Sequence, residues 1–284
     1  MWSCLGCRAS DGATPGVRPS PPPSLESAAV SAEASAVSAS PSSAPSAEAA
    51  PPPPPQNRFV RRTLEDEIAR PIELYPPIDP RSAPLVVALH ATCMEPASVC
   101  DWFGRAGREH GWLVCPAGHG TCNDAPDWSG PSEEKAHFLE QDLETVEAEI
   151  KDEIDGAPGV LFGWSRGAYA ACDILRVAVA DPSLARLSHR FHGLVLMAAR
   201  VRPDDATLRA AGIDRIVLAS GDQDAAAASM QASRAALARA GFEARYVSLG
   251  PIPHQWPDDF EARMREHIAW ALEPRERREA EPKE

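Results

Sequence analysis

The sequence predicts an α/β domain, a mostly parallel sheet with helices on both faces. Three observations predict it. Apolar runs rich in Val, Ile and Leu, such as LVVALH at 85–90 and VLFGW at 160–164, are continuous rather than alternating, which is the pattern of strands covered on both sides. Helix-like stretches separate these runs, and strands alternating with helices over such a length pack as a parallel sheet joined by crossovers. No segment recurs at a fixed period, which sets aside a solenoid.

The elements follow in order within residues 58–273. ARPIELYPP at 69–77 comes first, then the buried strand at 85–90. A helix-like stretch at 97–110 is ended by Gly111, and a second buried strand occupies 112–115. The segment 116–132 reads as a long loop rich in Gly, Pro and Asp that contains Trp128; loops of that length carry function or disorder. A helix at 138–154 shows Leu139, Leu143, Val146 and Ile150 close to the 3.6-residue period. It feeds the strand at 160–164, and a helix at 168–179 follows. Three further strands, at 193–198, 216–219 and 244–249, alternate with helices near Asp204, at 225–240 and at 258–272. No long insertion follows the strand ending at Ala198, so no large lid is expected and the site is open.

Residues 1–57 have a different composition. They run through PSPPPS, SAEASAVSASPSSAPSAEAA and PPPPP, with almost nothing large enough to bury. Such a segment cannot recover its ordering entropy and is expected to be a disordered tether, its proline run at 51–55 a stiff polyproline II spacer. Ahead of it, Leu5-Gly6-Cys7 resembles the end of a bacterial lipobox, which implies a lipid anchor through Cys7. The basic start and apolar stretch of a secretory signal do not stand before it. The alternatives are a lipoprotein whose start codon is placed too late, or a chance match in which Cys4 and Cys7 are an exposed pair or a weak metal-binding CxxC. At the other end, 274–284 (PRERREAEPKE) reads as a frayed charged tail.

Composition narrows the function. The 284 residues include 28 Lys and Arg against 41 Asp and Glu, a net charge of −13. A nucleic-acid partner is not expected, because neutralising phosphates needs a clustered basic surface, and the one basic cluster, near Arg275, is interleaved with Glu. Small molecules are the expected partners. No run approaches the roughly 18 to 20 consecutive apolar residues of a membrane-spanning helix. No GxxxxGK[ST] or GxGxxG follows a strand, so no nucleotide site is expected. His110, His119, His137, His189, His192 and His267 lack HExxH-like spacing, so no metal or other cofactor is expected.

The strongest chemical signal is Gly163-Trp164-Ser165-Arg166-Gly167, a GxSxG that directly follows an apolar strand and directly precedes a helix pattern. A strand that turns abruptly into a helix exposes its central residue in a strained conformation, while the flanking glycines allow strand and helix to approach closely. The first N–H of that helix, from Arg166, points where a negative oxygen would develop. A bland reading makes Ser165 a helix N-cap. A serine hydroxyl needs a histidine base and a carboxylate to orient it. Gly221-Asp222-Gln223-Asp224 and Gly250-Pro251-Ile252-Pro253-His254 each follow a strand, on the side where open parallel sheets build sites.

With these motifs, LHAT, GWSRG and the GxxD and PxPH pair, the span 69–272 resembles the α/β-hydrolase superfamily, and within it the dienelactone-hydrolase-like and polyhydroxybutyrate-depolymerase-like esterases that lack a large lid. The resemblance implies the α/β-hydrolase fold, a Ser165 nucleophile, a His254 base and an acid after the penultimate core strand. GxxD favours Asp224 over Asp222. The family takes its second oxyanion N–H from the loop after the strand ending at His90, where many members have His-Gly; His90-Ala91-Thr92 stands here, and the donor is assigned to Thr92 with Ala91 as the alternative. His90 itself reads as a loop anchor. Of the tryptophans Trp102, Trp112, Trp128, Trp164 and Trp256, most read as core, and Trp164 and Trp256 are expected to wall the pocket.

Cys93, Cys100, Cys115 and Cys122 crowd into thirty residues, a density common where disulfides persist, which points to the periplasm or cell envelope rather than the cytoplasm. Sequence alone leaves three pairings; the fold just described favours Cys93 with Cys122 and Cys100 with Cys115. Cys172 reads as a small buried apolar residue. The expected activity is hydrolysis of carboxylic esters through an acyl-enzyme. The alternatives are a non-catalytic ligand-binding scaffold at the envelope, or a peptidase or acyltransferase with the same three side chains.

Overall fold

The computed structural model describes residues 62–273 apart from 67, 68 and 80–82. The expected tether, Cys4 and Cys7 with the lipobox reading, and the charged tail lie outside the described residues. Element order is β1 (Arg62–Glu65), β2 (Pro71–Tyr75), β3 (Leu85–Leu89), α1 (Pro96–Arg108), β4 (Trp112–Pro116), β5 (Gly120–Cys122), β6 (Ala125–Asp127), α2 (Ser132–Glu149), β7 (Gly159–Trp164) and α3 (Arg166–Ala180). A short 3-10 turn (Pro182–Leu184) precedes α4 (Ala185–Ser188), β8 (Phe191–Met197), α5 (Asp205–Ala210), β9 (Arg215–Ser220), α6 (Ala227–Arg239), β10 (Glu243–Ser248) and α7 (Phe260–Leu272).

Eight strands form one sheet in the order β1-β2-β4-β3-β7-β8-β9-β10. From β4 to β10 neighbours run parallel, and β2 joins β4 and β1 antiparallel at the edge. The continuous apolar runs have a simple cause. Along β3, Leu85, Val87 and Leu89 face the layer of α2, α3, α5 and α6, while Val86 and Ala88 face α1 and α7. Leu194 and Leu196 of β8 alternate with Val195 and Met197 in the same way, as do Ile216 and Leu218 of β9 with Val217 and Ala219. Each fully buried side chain of this kind contributes roughly 1.5–3 kcal/mol, and both faces must be apolar for both to be covered. The chain runs from β3 out to β4, then returns to place β7 on the other side of β3. That reversal makes β3 and β7 the topological switch point, and sheets of this kind bind ligands at the carboxyl ends of such strands. Only the six residues of α5 form a helix between β8 and β9, and no large lid interrupts the sheet there.

Three expectations need correction. Helix α2 spans Ser132–Glu149 rather than 138–154. Pro131 at its N-cap, with φ −61°, and Glu133 and Glu134 in the first turn suit a helix start, whereas the apolar period begins only a turn later. The far end stops earlier because Ile150 leaves helical geometry and Ile154 bridges Ala83. The segment 116–132 is not wholly loop: β5 and β6 pair antiparallel across Asn123 and Asp124, whose φ values of 49° and 67° suit a tight hairpin turn. Strands of three residues are too short to show a period. Strand β1, which the sequence reading lacks, is a half-exposed edge, and charged edge strands carry little apolar signal.

Both disulfides pair as the fold favours, Cys93 with Cys122 and Cys100 with Cys115, at Cα–Cα distances of 5.0 and 5.9 Å. The second pins the buried face of α1 to buried β4. Cys172 on α3 is a free, half-buried thiol, pushed up to about 12 by burial and then by Asp173. At the antiparallel edge, Arg70 reaches Asp66 and Asp142 and lies over the Phe138 ring. Asp142 is 1% exposed, and burial lifts its carboxyl from 3.8 to about 7 against the pull of Arg70, with Asp66 adding repulsion.

Two outcomes follow. In the chain-entropy model each bridge, closing loops of 29 and 15 residues, contributes about 3–4 kcal/mol. Reduction is therefore expected to lower the melting temperature by roughly 6 °C or more per bridge, read by differential scanning calorimetry with and without reductant. Asp142 binds its proton more tightly folded than unfolded, so stability falls as pH rises from about 4 to about 7 and levels off above that. Asp142→Asn is expected to remove this fall, as measured by urea unfolding at the two ends of the window.

Candidate active site

Strand β7, GVLFGW, is buried along its whole length. It ends at Trp164, and α3 begins two residues later at Arg166. Between them Ser165 holds φ 52° and ψ −111°, a conformation that costs a non-glycine residue of order 1–3 kcal/mol and persists only where the surroundings enforce it. Its own N–H donates to the Met197 carbonyl of β8 at 2.8 Å, and its carbonyl accepts from the Ala168 N–H at 3.1 Å. The two glycines of the motif earn their place by crowding. A Cβ on Gly163 would lie 2.4 Å from the Gly167 carbonyl oxygen, and one on Gly167 would lie 2.2 Å from that of Leu89. Strand β7, helix α3 and the end of β3 meet at backbone contact.

The partner groups come from two later loops on the same sheet edge. Asp222 and Gln223 donate their N–H groups to the carbonyls of Gly250 (2.8 Å) and Ile252 (3.1 Å), so the loops after β9 and β10 are tied by their backbones. Asp224 has a side chain 3% exposed. Its Oδ1 accepts from the Ala226 N–H at 2.7 Å, and its Oδ2 lies 2.8 Å from His254 Nδ1. An ionised carboxylate only accepts, so Nδ1 carries the proton and donates. Nε2 is left as an acceptor, 2.9 Å from Ser165 Oγ. Asp222 takes no part in this line: it is exposed and accepts from the Ser248 hydroxyl at 2.6 Å.

Of the residues read as oxyanion donors, Arg166 follows the bend directly and Thr92 is on the loop leaving β3. Arg166 opens α3, and the first N–H groups of a helix have no partner within it. Thr92 stands exposed on the turn after β3, with Ala91 buried before it and Cys93 at φ 51° after it. His90 is a loop anchor, as expected. Its Nδ1 donates to the Ala91 carbonyl at 2.7 Å, and its Nε2 accepts from the Gly118 N–H at 2.8 Å. Burial lowers this imidazole to about 4, outweighing the opposing pull of its bond to Ala91 and of Asp127, so the ring is neutral at physiological pH.

Of the two tryptophans expected to wall the pocket, Trp164 packs on His254 and Trp256 packs on Trp164, and both are buried. The Trp164 ring is stacked on His254 with 6.2 Å between centroids, and Trp256 meets Trp164 at 5.1 Å. Trp112 and Trp128 are core. Trp102, also read as core, packs on both Trp164 and Trp256 yet is 45% exposed. Its position on the outward side of α1 was the available signal. Tyr169 and Arg200 had none: Tyr169 lies one helical turn past Ser165, its hydroxyl accepting from the Arg200 N–H, and the Arg200 Nε donates to the Ala225 carbonyl beside Asp224. Hollows lined by Arg202 and Leu237, by His189 and Phe191, by Glu147 and Arg186, and by Cys172 and Thr207 lie away from these side chains. Hydrogen bonding at the sheet edge, not volume, picks out the site. Among the described residues no cluster of three or more His, Cys, Asp or Glu could hold a metal.

No protein-family model matches the chain, and no curated protein matches it. Solved structures do. A carboxylesterase of Bacillus cereus is similar at a TM-score of 0.51 and 18% identity, over 71% of this chain and 94% of that one. A fluorophosphonate-binding serine hydrolase of Staphylococcus aureus is similar at 0.53 and 12% identity, over 76% and 98%. A ferulic acid esterase is similar at 0.53 and 15% identity, over 76% and 97%. Such identities speak to architecture. Together with the sheet order and the bend after β7, they show that the chain has the α/β-hydrolase fold.

Proposed function

We propose that the chain hydrolyses carboxylic esters through a covalent acyl-enzyme. The observation that carries this reading is the 2.9 Å contact between Ser165 Oγ and His254 Nε2 at a strained bend, with buried Asp224 behind the imidazole. As Oγ attacks the ester carbon, its proton passes to Nε2, and the charge on the imidazolium is offset by the Asp224 carboxylate. The tetrahedral oxyanion is received by the backbone N–H groups of Arg166 and Thr92. Collapse breaks the bond to the alcohol, which leaves with the proton from His254. Water then attacks the acyl-enzyme by the same route, His254 again taking and returning a proton, and the free acid departs. One oxyanion donor is typically worth on the order of 10²- to 10³-fold in turnover.

The two disulfides support a setting outside the reducing cytoplasm. We therefore place the protein in the periplasm or at the cell envelope, held by a lipid on Cys7. An apolar run ending at Cys7 in the upstream reading frame would support that anchor, and a stop codon close before Met1 would remove it.

A fluorophosphonate probe is expected to label Ser165. Ser165→Ala and His254→Ala should abolish both labelling and turnover of p-nitrophenyl acetate, and folded wild-type protein that takes no label would sink the esterase reading. Asp224→Asn is expected to cost on the order of 10⁴ in kcat by leaving the imidazole in the wrong tautomer. Asp222→Asn should stay within a few-fold of wild type, so the comparison assigns the acid by kinetics.

A further inference from the structure

We infer that the β5–β6 hairpin is a brace that positions the oxyanion donor, and that the Cys93–Cys122 disulfide is its working link; the inference rests on the esterase reading above. The loop leaving β3 is joined to the segment after β4 at three successive points. His90 Nε2 accepts from the Gly118 N–H at 2.8 Å. The Cys93 N–H donates to Asp127 Oδ1 at 3.4 Å. Cys93 is bonded through sulfur to Cys122, the last residue of β5. Thr92, whose amide is assigned to the oxyanion, lies between the first and the other two of these links.

The links fall where the loop most needs holding. Cys93 sits at φ 51°, outside the range a β-carbon favours, so its conformation persists only under restraint. Thr92 is exposed, so its own side chain does not fix the amide, which is held through buried Ala91 on one side and the links of Cys93 on the other. The hairpin, by contrast, rests on buried anchors. Asp127 is 5% exposed and is followed by fully buried Trp128, whose ring lies 5.4 Å from that of His90. A donor must be held at the place where charge develops to lower the barrier, and losing that preorganisation lowers kcat more than substrate binding. Cys93 and Asp127 are thus positioning residues. The other disulfide serves as a natural control, since Cys100–Cys115 ties α1 to β4 and includes no residue of the loop at 90–93 or of the hairpin.

The test compares Cys93→Ser/Cys122→Ser, Asp127→Ala and Cys100→Ser/Cys115→Ser, with kcat expressed per site titrated by a fluorophosphonate so that unfolded protein does not count. The first pair is expected to lose about 10- to 100-fold in kcat with KM changed less than threefold. Affinity for a trifluoromethyl ketone, whose adduct carries the oxyanion, should fall by the same factor. Asp127→Ala, which keeps both disulfides and removes the acceptor, should lose severalfold in the same two readouts, and the Cys100→Ser/Cys115→Ser pair should stay within twofold per site. An unchanged kcat in the first pair would overturn the brace, as would equal losses from both disulfide pairs. Should the first pair not fold, Asp127→Ala with wild-type kcat and ketone affinity would overturn it alone. Wild-type protein that takes no label would sink the esterase reading instead.

Discussion

The site depends on a single backbone constraint, the sharp bend that carries Ser165 off the end of β7. Three neighbours enforce it. Met197 of β8 accepts the Ser165 N–H, Gly163 leaves room for the Gly167 backbone, and Gly167 leaves room for the Leu89 carbonyl. Because the chain cannot relax there, the hydroxyl stands above the sheet edge instead of folding back as a helix cap. The strain is sustained by the apolar burial of β3, β7 and β8 on both faces, which is large compared with the few kcal/mol that a strained residue requires.

What the bend presents is completed by groups far away in sequence. His254 is 89 residues from Ser165, and Asp224 is 30 from His254. Parallel strands bring them together, since every parallel strand ends on the same edge. The backbone bonds between the loops at 222–223 and 250–252 then fix Asp224 relative to His254. Burial is divided unequally along the line: the Asp224 side chain is 3% exposed and the His254 side chain 49%. A buried carboxylate with both oxygens engaged holds one imidazole tautomer, while the other ring nitrogen of the half-open His254 faces Ser165 Oγ.

Elsewhere the molecule accepts unfavourable groups in return for connection. Arg70 holds two carboxylates at the antiparallel edge, one of them kept near neutrality by burial, an arrangement that marks position more than it adds stability. The two disulfides gather in the same third of the domain as the short hairpin, where three-residue strands bury little of their own. Covalent links there replace packing that such small elements cannot supply.

Much of this was legible from residue order. Continuous apolar runs marked β3, β4 and β7 to β9 because burial on both faces leaves no alternation to hide them, and GxSxG, GxxD and PxPH marked the three chemical loops because each follows such a run. Local chemistry determined those features. Only the tertiary structure decided the rest: that Asp224 and not Asp222 meets the imidazole, that Trp102 packs on Trp164 and Trp256, and that the loop at 90–93 is tied to a hairpin. These depend on distances between segments remote in the chain. A loop aspartate carries the same local signature whether it faces a histidine or a serine, so only the packing of one strand end against another could tell them apart.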